Sequence, residues 1–144
     1  FFFKQKTAYE IPKRDWSSDV LFRSGLAGGL AALGARLVSG FDLVAGELEF
    51  DERLAGVDYV VTAEGMLDEG SFDGKVVGSV VASCRERGVR VGVVCGDRAD
   101  ELPPEADGLA IESLVARVGM DEAMSRPLRS IEVAAAALLA RATG

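Results

Sequence analysis

The residues of this chain best suited to chemistry lie in one stretch, YVVTAEGMLDEGSFDGKVV, at 59–77. Glu64, Asp68, Glu69 and Asp73 supply four carboxylates, and Gly74-Lys75 follows them just before a segment with helical apolar spacing. A Gly-rich approach to a helix start offers unpaired backbone N–H groups and the positive end of a helix dipole. Lys75 adds an ammonium, and all three suit a phosphate. Carboxylates at 64 and 68 suit Mg2+, which takes one or two protein carboxylates and fills its shell with waters and phosphate oxygens. Together these residues describe a metal-nucleotide site. The Gly-Lys pair lacks the full GxxxxGK[ST] spacing of a P-loop. The same stretch therefore also reads as a solvated acidic loop whose following helix happens to start with a lysine.

Lys75 is the sole lysine after residue 24, against ten arginines. In an Arg-favouring chain, a retained lysine fits the compact point charge that phosphate sites use. Asp97, after Gly96 at the end of an apolar run, has either a ligand role or a turn-forming one. Gly28 and Gly29 allow close backbone approach at a helix entrance, or simply tight packing. Cys95 reads as a small buried hydrophobe.

Composition narrows the classes. The 144 residues are 49% hydrophobic and 27% charged, as expected of one soluble domain with its own core. Histidine is absent, which removes Ser/His/Asp and Cys/His catalysis and His-dependent metal sites. Two cysteines, Cys84 and Cys95, are too few for a disulfide framework, and an intracellular setting is the expectation. The longest apolar run, 133–140, is far shorter than the ~20 residues of a spanning helix, so no membrane segment is expected.

A compositional seam falls at residue 24. Residues 1–24 hold three of the four Lys, the only Trp, four of the seven Phe and none of the 17 Gly. They lack the apolar core and small-residue end of a signal peptide. They resemble a translated sequencing-adapter read-through, and are set apart as a non-native leader. The remaining body has 11 basic and 20 acidic residues, a net charge of −9, which disfavours nucleic acid and anionic membranes as partners.

The elements that must position the acidic stretch follow from hydrophobic spacing. The spacing predicts a small-residue helix over 28–38, one or two short helices over 41–54 with Asp51 as a cap, and a buried strand at 58–62. A helix over 75–87 ending at Gly88, a strand at 89–95, a weaker strand at 108–111 and helix over 120–142, restarted at Pro127, complete the body. This alternation predicts an α/β fold: a parallel sheet with flanking helices. Ligands of such sheets bind beyond the carboxyl ends of the strands, which brings loops 63–74 and 96–98 together.

The series GLAGGLAALGARLVSGFDLV, DYVVTAEGMLDEGSFDGKVV and VRVGVVCG resembles the C-terminal part of bacterial glycerate kinases of the two-domain family. The residues that carry the resemblance are Gly25, Ala27, Gly28 and Gly29, then Leu33-Gly34-Ala35 and Ser39-Gly40, then Thr62, Glu64, Gly65, Asp68, Ser71, Gly74 and Lys75. Departures are Leu26 within the small-residue element, Ala63 in place of a glycine, Met66 in place of a basic residue, Gly70 where Gln is common and Val77 where Pro is common. Ala63 is compatible with the pattern if its φ is negative.

The resemblance implies a partial, Rossmann-like fold, with a helical linking segment at 25–57 and the α/β part of a kinase domain at 58–144. It implies a C-terminal fragment, inactive alone, of a cytoplasmic enzyme that phosphorylates D-glycerate from ATP with Mg2+, and it is compatible with a homodimer. It places Glu64, Asp68 and Lys75 in catalysis, with Glu64 and Asp68 toward the metal. Gly28, Gly29, Gly65, Ser71, Gly74 and Asp97 then serve substrate and phosphate. The rival expectation is a receiver-like regulatory domain that binds Mg2+ and phosphate without catalysis. A purely structural segment completing another domain's sheet is the third.

Overall fold

The computed structural model describes residues 25–36 and 38–143. The leader read at 1–24 lies outside them. The chain divides into two compact units, 1–47 and 48–144. In the first, helix α1 (Gly25–Ala32) and helix α2 (Gly40–Glu47) are the described elements, and neither contains a buried residue. The helix expected over 28–38 thus begins at Gly25 and ends at Ala32, placing Gly28 and Gly29 inside it rather than at its entrance. Gly34, with φ of 95°, turns the chain away in a conformation open to glycine but costly for other residues.

The second unit opens with the short helix α3 (Phe50–Arg53), whose N-cap is Glu49 rather than the expected Asp51. Asp51 instead pairs with Arg87 at 2.9 Å. Three strands follow, β1 (Tyr59–Leu67), β2 (Arg90–Arg98) and β3 (Ala110–Ser113), in the order β1-β2-β3 and all parallel. Helix α4 (Val76–Glu86) connects β1 to β2. Helices α5 (Leu114–Val118), α6 (Met120–Ser125) and α7 (Pro127–Thr143) follow β3. The expected α/β architecture is thus present, a parallel sheet with helices flanking it.

The strand expected to be buried at 58–62 is covered on one face only, with Val61 exposed, whereas both faces of β2 are covered. Side chains alternate along β2, and Val94 joins Leu114, Ala123, Ala134 and Leu138 in one core cluster, with Tyr59 and Ala110 packed against it. On α7 the buried positions are Ser130, Ala134 and Leu138, an i, i+4 stripe facing the sheet. Leu128, Ile131, Val133 and Leu139 of the same helix remain exposed, so the contact is narrower than the apolar content of the segment suggested. The opposite face of β2 carries Val91, Val93 and Cys95, and α4 contributes Val77, Val80, Val81 and Cys84 to the core.

Both long strands run further than hydrophobicity indicated. The ladder begins at Tyr59↔Arg90 and continues through Glu64↔Cys95 and Met66↔Asp97 to Leu67↔Arg98. Ala99 N–H then donates to the Leu67 carbonyl at 2.9 Å. Residues 63–67 and 96–98, expected as loops, are therefore strand. The physical reason is a close approach of backbones: a Cβ added to Gly96 would stand 2.6 Å from the Gly65 carbonyl oxygen. Gly96 lets the pairing persist through a segment whose polar side chains disguise it as loop. Ala63 fits, because Glu49 is the only described non-glycine residue with positive φ.

Two substitutions test this packing. Gly96→Ala forces a methyl into the Gly65 carbonyl and should destabilise by about 1–3 kcal/mol, as overpacking does. Leu138→Ala, at a fully buried position, should cost about 2–5 kcal/mol. Urea unfolding followed by circular dichroism reads both, and an unchanged midpoint for Gly96→Ala would contradict the close strand approach.

Candidate active site

The carboxyl end of β1 passes directly into a short 3-10 turn, Glu69–Phe72, and then into α4. Leu67, fully buried, anchors the end of the strand. Asp68 caps the turn: its Oδ1 accepts from Ser71 N–H at 3.1 Å, while the Ser71 hydroxyl accepts from Asp68 N–H at 3.0 Å. This reciprocal capping box satisfies two backbone donors at once. The Ser71 hydroxyl has one proton, shared between Asp68 Oδ1 at 3.3 Å and the Met66 carbonyl at 3.4 Å. Ser71 is fully buried and its oxygen is engaged on every side, so it braces the turn from within.

Gly74 then takes φ of 72°, a left-handed conformation that redirects the chain into α4. Lys75 is the extended N-cap of that helix, not its first helical residue as expected, and makes no side-chain cap. The first N–H groups of α4, from Val76 onward, have no partner within the helix and carry its positive dipole end. No ion pair or hydrogen bond engages the Lys75 ammonium among the described residues. A Cβ on Gly70 would meet Asp68 Oδ1 at 3.2 Å and Lys75 Nζ at 3.4 Å, which places carboxylate and ammonium over the same turn.

Glu64 stands in β1 opposite Cys95 of β2. Its Oε1 is buried and has no hydrogen-bond partner. Buried carboxylate oxygens in folded proteins are normally hydrogen-bonded or paired with a cation, and this atom has neither among the described residues. Asp97, at the end of β2 beside Met66, accepts from Arg98 N–H through Oδ1 at 2.8 Å. Among the described residues no three Cys, Asp or Glu side chains converge as a metal-binding cluster. Burial pushes the Cys95 thiol up to about 11, against a smaller opposite pull from Arg98 and smaller upward contributions from Asp97 and Glu64. Burial likewise raises the Cys84 thiol, with Arg87 acting against it.

The structure brings Asp68, Ser71 and Lys75 together over one turn, with Gly74 beside them, while Glu64 and Gly65 lie within β1 before that turn and Asp97 near the end of the neighbouring strand. Gly28 and Gly29 belong to the 1–47 unit. Sequence reading missed Gly78, where a Cβ would lie 2.6 Å from the Cα of Phe72. That glycine lets the turn rest on the first turn of α4. The repeat Gly70, Gly74, Gly78, one every four residues, is the signal that could have revealed it.

The Glu64 carboxylate, the Lys75 ammonium and the α4 N-terminus stand toward the carboxyl ends of a parallel sheet, the end at which α/β folds place their ligands. The profile of the glycerate kinase family matches residues 23–143, and the chain belongs to that family. It is 34% identical over 120 residues to a glycerate kinase of Halalkalibacterium halodurans, covering 78% of this chain and 32% of that protein. It is 41% identical over 81 residues to a glycerate kinase of Neisseria meningitidis serogroup B, covering 55% and 21%. Similarity to an uncharacterized protein of Mycobacterium bovis is 40% over 72 residues, covering 50% and 19%. The chain therefore spans about a third or less of the length of these relatives.

Two outcomes are expected. Asp68→Ala and Ser71→Ala should each destabilise by about 1–3 kcal/mol, the range for leaving a buried polar group unpaired. The double variant should cost clearly less than the sum of the two, because both act on one capping box; additive losses in chemical denaturation would show that the two side chains work separately. The second outcome concerns pH. The folded state keeps the Cys95 proton up to about 11, whereas the unfolded chain releases it near the ordinary value of 9.0. Between those values the folded state binds more protons, so unfolding free energy falls as pH rises. Cys95→Ala should flatten that fall, measured as urea midpoint against pH from about 8.5 to 11.

Proposed function

We propose that the chain forms part of the catalytic machinery of a cytoplasmic kinase that transfers the terminal phosphoryl group of ATP to a hydroxyl of D-glycerate. The supporting observation is the Glu64 oxygen, buried and without a partner, at the strand end from which the free α4 N-terminus and the free Lys75 ammonium also project. Family membership makes glycerate the acceptor of choice.

Phosphoryl transfer needs positioning and charge neutralisation more than covalent help. The Val76 and Val77 N–H groups and the Lys75 ammonium would hold phosphate oxygens, with Gly74 giving the backbone its approach. Gly65 leaves room beside the β1 backbone for substrate, and Asp97 offers a polar group at the edge. Asp68 and Ser71 keep the turn in place, which holds Lys75 relative to Glu64. Mg2+ would take the unpartnered Oε1 of Glu64, or Oδ2 of Asp68, whose Oδ1 is bound to Ser71, with waters and phosphate oxygens completing its shell. When bound there, the ion would neutralise charge on the phosphates.

The test is a chimera in which residues 25–143 replace the matching segment of the Halalkalibacterium halodurans glycerate kinase. It should release ADP only when D-glycerate is present, and Glu64→Gln or Lys75→Ala should lower kcat/KM by about 10²-fold or more, the scale for losing one charge-stabilising group. A folded chimera that binds ATP yet shows no glycerate-dependent ADP release, beside an active parent enzyme, would sink the proposal. The 144-residue chain alone is expected to release none.

A further inference from the structure

The loop that carries Lys75 is pinched shut at its base. The chain leaves the 3-10 turn at Phe72, bends at Gly74 and enters α4 at Val76. By Gly78, the third residue of α4, it is back against Phe72: a Cβ there would stand 2.6 Å from the Phe72 Cα and 3.0 Å from its carbonyl carbon and oxygen. Non-bonded carbons settle about 3.5–4.0 Å apart. The obstacle is backbone, so no change of rotamer relieves it.

Backbone conformation does not call for glycine at this position. Gly78 is not among the residues with positive φ, and it lies inside a helix, where alanine is the more favourable residue. The close approach to Phe72 is what requires it. Between the two residues lie Gly74, Lys75 and the first N–H groups of α4, those of Val76 and Val77. The helical side of this loop is anchored, because Val77 is fully buried and the Ser79 N–H donates to the Lys75 carbonyl at 3.0 Å. The other side is held by the Asp68 and Ser71 capping box and by the Asp73 N–H, which donates to the Gly70 carbonyl at 3.3 Å. The contact of Phe72 with Gly78 joins these two braced pieces.

We propose that Gly78 is a positioning residue of the kinase site: its missing side chain lets the turn settle on α4, which fixes the Lys75 ammonium and the first α4 N–H groups relative to Asp68 and Glu64. The proposal rests on the kinase reading and adds to it the contact that sets the geometry of its phosphate grip. A methyl group at 78 pries turn from helix by roughly 1 Å, the gap between 2.6 Å and an ordinary carbon contact. Misplacement on that scale costs up to about 10²-fold in rate, even when the substitution lies away from the reacting atoms.

The chimera carrying residues 25–143 provides the test, assayed below the unfolding temperature of every variant. Gly78→Ala should lower kcat/KM for ATP by about 10- to 100-fold. Leu138→Ala, which loosens the core on the other face of the sheet, should stay within about twofold of the parent chimera, as expected of a distant site. In a Lys75→Ala background, Gly78→Ala should cost clearly less than it does in the parent, because the glycine acts partly through that ammonium. Unchanged kcat/KM in a folded Gly78→Ala chimera overturns the proposal and leaves the kinase reading standing. An equal loss in Leu138→Ala overturns it as well, and so does a fully additive loss in the Lys75→Ala background. Where Gly78→Ala does not fold, Gly74→Ala strains the same loop at its bend, and full activity there counts equally against the proposal. A parent chimera without glycerate-dependent ADP release defeats the kinase reading, and this proposal with it.

Discussion

The parallel pairing of β1 with β2 extends to Leu67↔Arg98, and the candidate active site depends on that extension. Had the ladder ended at Thr62, Glu64 would sit on a free loop with its oxygens in water. Because the strands stay paired, Glu64 is fixed against Cys95, and one of its oxygens is buried without a partner. The extension is possible only where two backbones come unusually close, at Gly65 and Gly96. Glycine at 96 removes the side chain that would press on the Gly65 carbonyl, whereas a Cβ at 65 would meet nothing within 4 Å.

From that fixed strand end the rest of the site follows by short covalent steps. Leu67 is buried, Asp68 caps a single 3-10 turn, and Gly74 bends the chain so that α4 begins with its N–H groups at the same edge. Ser71, buried at the centre of the turn, ties strand to turn through Asp68 and Met66. Gly78 lets the turn lie directly on the helix. The hydrogen bonds of this segment thus brace its geometry, while among the described residues none engages the Lys75 ammonium or the buried Oε1 of Glu64. A rigid support with a few unspent polar groups is what preorganised electrostatic binding requires.

The two edges of the sheet differ in the same chemical sense. The carboxyl edge presents carboxylates, one ammonium and a helix N-terminus. The amino edge presents Arg85, Arg90 and Arg141 near helix ends, with Tyr59 among them. Helix dipoles set part of this pattern, since basic side chains are favoured at helix C-termini and anions at N-termini. Glu112 belongs to the same accounting: nearly buried on β3, it pairs with Arg117 and Arg141, so its charge is not left alone in the core.

Hydrophobic periodicity by itself determined the α/β class, the existence of β1, β2 and β3, and the helix that follows the acidic stretch; in β2 burial on both faces leaves an apolar run that survives in one dimension. Residue types determined the candidates as well: Glu64, Asp68, Gly74 and Lys75 could be named from chemistry and spacing alone. Only the tertiary structure decided their roles. Strand length was hidden because residues 63–67 pair through backbone atoms, which composition does not report. Ser71 became a brace and Asp68 its cap because they meet across a turn whose closure depends on Gly78 and Phe72, which no local propensity encodes. The unpaired oxygens of Glu64 and Tyr59 are properties of burial, and burial exists only after strands and helices have come together.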